Sequence, residues 1–433
     1  MKPAQTLRTP RFLQKSFTVV ALSLAMPIAA PRASQAQTTR EAARGFTVEP
    51  TQVELAGNFA RTQLLASASS PSTSAADRSA DLTSQATFVS SDPKVARVDV
   101  HGVIYAVGNG AAEIVVTVKS QNGSPAIRVP VRVKDVVVLP SIGYTRDVMP
   151  ILSKAGCNMG ACHASQYGKA GFKLSVFGYE PTQDFAAIVR DRSERRVNFL
   201  EPEQSLILKK PTLQVPHGGG RRMKIGSIEY QTLAAWIACG APGPNAADPV
   251  VTRIVAEPSR RIATPGAKQQ LRVEAFFSDG TSRDVTPLAK FDSMDEGVLS
   301  VASDGLVTIN GKGQAPTLVR YEGQAATCHF MVPYSAHAEL TGWKNQNFVD
   351  ELASAKFREL GIEPSGLCSD ATFLRRAYFD AIGTQPTLAE TRAFLSSKDP
   401  NKRTRLVDSL LGLTGDPQLD VHNDAYAAWK DFR

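Results

Sequence analysis

Cys157-Asn158-Met159-Gly160-Ala161-Cys162-His163 is the stretch on which the reading of this 433-residue chain turns. Two cysteines followed at once by a histidine is the pattern of covalent haem attachment. Each thiol can add to one vinyl group as a thioether, and the histidine then lies under the iron and offers an imidazole nitrogen as proximal ligand. The commonest spacing leaves two residues between the cysteines. Here four separate them, so the peptide must bulge between its anchor points, and Gly160 supplies a residue tolerant of unusual backbone angles there. Two other readings stand beside this one. The cysteines could close a short-loop disulfide in an exported protein. With one more ligand the three residues could bind zinc, but no second close Cys/His pair completes a tetrahedral site; Cys328-His329 falls in a strand-like run elsewhere.

The chain opens with a targeting signal. Lys2, Arg8, Arg11 and Lys15 form a basic leader, and the apolar run from Phe17 to Ala30 is too short to span a bilayer but suits a signal-peptide core. Ser34-Gln35-Ala36 offers small residues for cleavage, so residues 1–36 are expected to leave, and no later stretch reads as a membrane span. Removing Lys2, Arg8, Arg11, Lys15 and Arg32 lowers the formal charge from +8 to +3. A balance that weak implies no nucleic-acid partner. The local run Arg190, Arg192, Arg195 and Arg196 is interrupted by Asp191 and Glu194 and reads as a solvated face. Five cysteines are few for an exported chain of this length, so stability must come from packed cores, and several domains are expected.

Residues 45–138 read as all-β. Val95–Val100 and Glu113–Val118 alternate as half-buried strands do, with Asn109-Gly110 and Asn122-Gly123 as hairpin-type turns and Ala66–Ser84 as a mobile loop. The pattern returns at 250–334. Asp81, Thr83, Phe88, Val98, Gly102, Gly108 and Gly110 recur as Asp284, Thr286, Phe291, Val301, Gly305, Gly311 and Gly313, every pair 203 positions apart. Glycines repeated at fixed places mean repeated tight turns. Between the copies, residues 140–244 read as helical. Val148, Ile151, Leu152 and Ala155 form one stripe running into the cysteine motif. Tyr230, Leu233, Ala234 and Ile237 form another, capped by Ser227 and ended by Gly240. A further helical stretch, 345–433, carries Val349, Leu352, Ala353 and Lys356 on one face, with Ser369 as a cap.

A six-coordinate iron needs a second axial donor, and only His217 and Met223 lie between the motif and the last helix of that segment. Arg222 and Lys224 flank Met223, which reads as an exposed strand or loop. His217 follows Pro216 and precedes three glycines that let backbone approach a flat ring.

Three resemblances follow. Ser91-Asp92-Pro-Lys-Val95-Ala96-Arg-Val98 and Gly102-Val103-Ile-Tyr-Ala106-Val-Gly108-Asn-Gly110 resemble the group 2 bacterial immunoglobulin-like domain; the second copy departs at Met294-Asp295-Glu296. The run Ala155–His163 with Gly171–Ser175, Phe177-Gly178-Tyr179, Pro216–Gly220 and Trp236–Pro242 is similar to the planctomycete-type cytochrome c domain. Phe348-Val349-Asp350, Phe373–Arg376, Asp380, Gly383, Pro386-Thr387 and Glu390 resemble the helical domain associated with such cytochromes, as a truncated member or half of a split gene. These resemblances imply two immunoglobulin-like β-sandwiches, a small all-α cytochrome c-like domain between them and a C-terminal helical segment. They imply one covalent haem c on Cys157 and Cys162, with His163 proximal. A histidine before glycines stands at the place of His217 in that family, so His217 is the expected distal ligand and Met223 the alternative.

The expected function is one-electron transfer by an exported, periplasmic or cell-surface protein, rather than catalysis; no nucleophile triad, carboxylate pair or nucleotide loop stands out. The expected partners are a redox protein and other surface proteins or glycans. The alternative is a non-redox surface or adhesion protein in which the sandwiches matter and the cysteine loop is only a structural knot.

Overall fold

A computed structural model describes residues 45–69, 77–119 and 125–420. The signal segment and the Asn122-Gly123 turn lie outside them. The chain divides into two compact units, one ending at Val332 and the other starting at Pro333.

In the first unit, β2 (Val53–Ala56), β9 (Ala126–Lys134), β8 (Gly110–Val118) and β5 (Ala86–Ser90) form one sheet in that order. Strands β3 (Arg61–Gln63), β7 (Val103–Ala106) and β6 (Ala96–Val98) form a second, and β1 (Phe46–Glu49) pairs with β4 (Leu65–Ala68). The copy further on repeats this order. Strands β11 (Arg260–Ile262), β19 (Gln324–Val332), β18 (Gly313–Tyr321) and β15 (Lys290–Ser293) form its four-stranded sheet. Strands β12 (Lys268–Gln270), β17 (Leu306–Ile309) and β16 (Leu299–Val301) form its three-stranded sheet, and β10 (Val251–Glu257), β13 (Arg272–Phe277) and β14 (Ser282–Asp284) form the last. In both, the first strand of the large sheet runs parallel to the last. Alternation sets the faces: Ile127, Val129, Val131 and Val133 are buried, while Ala126, Arg128, Pro130 and Arg132 are exposed. The repeated glycines answer to close packing. A Cβ on Gly102 would stand 2.8 Å from the Phe88 ring, and one on Gly305 would stand 3.0 Å from the equivalent Phe291 ring.

Two loop expectations need correction. Asn109-Gly110 is not a hairpin turn: it carries the chain from β7 in one sheet to β8 in the other, and the Asn109 side chain bonds both backbone groups of Val136. The Ala66–Ser84 stretch is built into the fold at both ends. Ala66 and Thr83 are buried, and Asp81 bridges to Ser67.

The two copies meet reciprocally. Asp81 accepts the Gln270 amide at 2.5 Å, and Asp284, its equivalent, accepts the Gln63 amide at 2.7 Å. Gln63 and Gln270 are buried alike, each donating to the carbonyl of the next residue and to a turn carbonyl, His101 or Asp304.

The intervening segment is helical, with its own core of Tyr144, Leu152, Ile188, Leu208, Leu233, Trp236 and Ile237. A π-turn at Tyr144–Val148 leads into α1 (Met149–Lys154); α2 (Pro181–Val189), α3 (Leu206–Lys209) and α4 (Ile228–Ala238) follow. Ser227 caps α4 by accepting from the Tyr230 amide. This segment is not a separate compact body: it shares one unit with both sheet copies. Arg61 bonds Glu229 at 2.7 Å, Arg283 bonds Asp147 at 2.7 Å, and the Lys154 ammonium donates to the carbonyls of Ala289 and Ser303.

The second unit comprises α5 (Phe348–Leu360), α6 (Asp370–Ile382), α7 (Leu388–Ser396) and α8 (Lys402–Leu410). Asn347 and Ser369 cap α5 and α6, and Thr387 with Glu390 makes a capping box on α7. Leu374, Tyr378, Ile382, Phe394 and Leu410 form its core. Val349 and Leu352, which share the predicted face of α5, are exposed.

Candidate functional site

Helix α1 delivers the cysteine motif. The Cys157 amide still bonds Leu152 O, and the His163 amide then reaches back to Cys157 O at 3.0 Å, so the interval between the cysteines closes into one wide loop. Gly160 does not carry the bulge by an unusual conformation, since its φ is not positive and a Cβ there would meet open space. The left-handed glycine is Gly156, one residue before the first cysteine. Cys157 and Cys162 are half-buried, and all five cysteines are free thiols. Burial pushes the Cys157 thiol up to about 11, against the pull of Arg222 and Lys290. Cys328 is wholly buried in β19, and Cys239 is exposed.

His163 is clamped by the strap 172–174. Its backbone carbonyl accepts from the Leu174 amide at 2.9 Å, and its Nδ1 donates to Phe172 O at 3.1 Å. A carbonyl can only accept, so the proton sits on Nδ1 and Nε2 keeps its lone pair. Burial holds the imidazole below its ordinary pKa, helped by His217 and then by the charges of Arg196 and Lys210, although the bond to Phe172 works the other way. A neutral ring is the ligating form.

His217 is held in the same manner, its Nδ1 donating to Gly220 O at 2.8 Å. A Cβ on Gly219 would lie 2.9 Å from the His217 ring, so the glycine run lets backbone pass against the histidine itself. The His163 and His217 ring centroids lie 6.4 Å apart, with their planes 13° from parallel. Met223 lies elsewhere in its surroundings. Contrary to the exposed loop its charged neighbours suggest, it is buried in the core of the helical segment, while Arg222 and Lys224 point to solvent. Thus the structure brings Cys157, Cys162, His163 and His217 onto two adjoining loops and packs Met223 beneath them.

Arg196 was not legible as part of this site. Instead of joining a solvated face, as Arg190, Arg192 and Arg195 do, it is buried. It donates to Ala187 O at 2.7 Å and Gly171 O at 3.0 Å and lies 4.5 Å over the Phe172 ring. It therefore fixes the strap whose carbonyl orients His163. Asp184, also buried, takes the Ser175 amide at 2.6 Å and its hydroxyl at 2.7 Å, anchoring the strap's far end to α2. Lys290 of β15 reaches over from the second sheet copy, its ammonium 5.0 Å from the Phe177 ring centre and without a hydrogen-bond acceptor among the described residues.

Among the described residues no three His, Cys, Asp or Glu side chains group as a metal cage. A cleft of about 840 Å³ is lined by no residue of the motif, and its Arg61, Asp147, Glu229 and Arg283 are engaged in the ties between segments. No helix among the described residues is long and apolar enough to cross a membrane.

Residues 348–415 match the family described as PSCyt2, protein of unknown function (DUF1549). No curated protein matches the chain. Among solved structures it is similar to S-layer protein SbsC domains 5-6, at 12% identity over 66% of this chain and 96% of that one, with a TM-score of 0.25. It is also similar to S-layer protein rSbsC(31-844), at 11% identity over 66% of this chain, with a TM-score of 0.17; the chain spans 25% of that protein's length. Mouse Protocadherin-24 EC1-3 is similar at 9% identity over 66% of this chain and 70% of that one, with a TM-score of 0.14.

Proposed function

We propose that this chain is an exported electron-transfer protein that carries one haem on Cys157 and Cys162, with His163 and His217 as the axial ligands. The single observation that carries the reading is the pair of imidazoles. Two imidazoles that held one metal between them, each nitrogen about 2.0 Å from it, would have ring centres about 6.2 Å apart once a ring radius of about 1.1 Å is added on each side. The pair here stands at 6.4 Å, close to that separation, and each Nδ1 is taken by a carbonyl, so Nε2 is the nitrogen that each ring would turn toward a metal. Bound haem supplies a one-electron couple whose potential depends on ligands and burial. The protein's own contribution is to hold His163 neutral, to fix both tautomers through backbone carbonyls, and to present two thiols on one closed loop. Ligation by two histidines leaves Met223 to packing.

A second reading is a non-redox surface or adhesion protein, periplasmic or outside the cell, that binds other surface proteins or glycans. The duplicated sheets favour it, since they make up most of the first unit.

Absorption separates the two readings. Chain purified from a host that matures c-type haem is expected to show a Soret band that survives acid-acetone extraction. Cys157→Ser or Cys162→Ser should shift the α-band or lose the covalent haem, and Cys239→Ser and Cys368→Ser should leave the spectrum alone. A colourless wild-type chain ends the first reading.

A further inference from the structure

The two loops that carry the histidines share an unusual charge pattern. Residues 157–179 and 204–228 contain Lys169, Lys173, Lys209, Lys210, Arg221, Arg222 and Lys224 and no Asp or Glu. The helical segment does have acids, but Asp147, Glu180, Asp184, Asp191, Glu194, Glu201, Glu203 and Glu229 all fall outside these loops. Among the described residues none of the seven cations has a carboxylate partner within ion-pair distance; Lys209, Lys210 and Arg222 bond only the neutral oxygens of Gln204, Pro216 and Gly219. The two stretches adjoin, because the imidazoles meet across them and the Arg222 guanidinium lies against Gly156. The same two stretches also carry exposed apolar side chains, Met159, Tyr167, Val176, Tyr179, Leu213 and Ile225.

We propose that this face docks an acidic protein. Its role as the electron donor or acceptor rests on the haem reading above, whereas the docking does not. The positive field steers a carboxylate-rich partner and sets its orientation, and rim cations of this kind act mainly on the association rate. The apolar and aromatic residues favour a protein over an anionic polysaccharide, since aromatic, Met and Arg side chains are what protein interfaces enrich. A polyanionic sugar would use the cations and leave the six apolar side chains in water.

The full-length mature chain tests this with an acidic flavodoxin and with heparin as probes, each at low and high salt. Expected is flavodoxin binding that weakens steeply with salt. It should fall at least tenfold in the variant Lys169→Glu/Lys173→Glu/Arg221→Glu and less than twofold in Lys94→Glu/Arg97→Glu/Arg132→Glu, which reverses as many exposed cations on the first sheet copy. Circular dichroism establishes that both variants fold. Absence of flavodoxin binding, equal losses in the two variants, or binding to heparin alone would each overturn the proposal. A Soret band read on the same samples keeps the two claims apart. A colourless chain that binds flavodoxin supports the docking face and ends the redox role, and a haem-bearing chain that does not bind does the reverse.

Discussion

Arg196 shows how one residue can matter to the site without touching it. Its guanidinium satisfies two carbonyls and covers the Phe172 ring, and Phe172 in turn fixes the His163 tautomer. Arg196→Ala leaves the Gly171 and Ala187 carbonyls without their buried donor, a loss of about 2–3 kcal/mol. Chemical denaturation should show that drop, and Arg196→Lys should recover only part of it, because a single ammonium cannot reproduce the fork. A change below about 0.5 kcal/mol, the usual range for surface substitutions, would contradict this role. At this scale the sequence was partly legible. The Cys-Cys-His order and the Pro-His-Gly run singled out four residues that the fold brings onto adjoining loops. Arg196 escaped because charge runs are read as surface, and nothing local marks which member turns inward. Met223 escaped for the converse reason: charged neighbours say nothing of the side chain between them.

Helices and strands were the most legible elements, because their signals are periodic. The stripes of α1 and α4, the Ser227 cap and the alternation of Glu113–Val118 in β8 are read from spacing alone, and the structure keeps them, whereas the Val95–Val100 run is strand only over Ala96–Val98 and its Val100 is exposed. Turns were less legible. Asn109-Gly110 has hairpin composition, yet it links two sheets, because β7 and β8 pair with other strands and the Asn109 side chain supplies the missing backbone partners. The Ala66–Ser84 stretch reads as loop from its Ser and Thr content. Asp81 and Thr83 nonetheless serve the fold through side-chain bonds to backbone, which composition does not reveal. On α5 the apolar spacing is helical, as expected, and the face it predicts is largely in water.

For the molecule as a whole, the 203-residue repeat offset foretold a duplicated sheet arrangement, but not that the copies would clasp through the repeated aspartates. A sequence repeat says what each copy is, and complementarity between copies depends on three-dimensional shape. The ties to the helical segment are equally non-local. Burial alone would raise the Glu229 pKa; Arg61 and the hydrogen bonds around it outweigh that and hold it below the usual carboxylate range. A carboxylate with a depressed folded pKa contributes stability that is present above its unfolded value of about 4.3 and is lost as pH falls through the folded value. Acid titration of the first unit's unfolding should therefore be shallower below about pH 4.3 in Glu229→Gln than in wild type. Identical acid profiles would contradict a stabilising Arg61–Glu229 tie.

The claim on which the functional account rests is covalent attachment at Cys157 and Cys162, and the intact mass of the mature chain under denaturing conditions tests it most directly. The account predicts polypeptide plus one haem in wild type, and bare polypeptide when both cysteines are replaced by serine. A wild-type mass equal to the bare chain, or lighter by the two hydrogens of a disulfide, would contradict it.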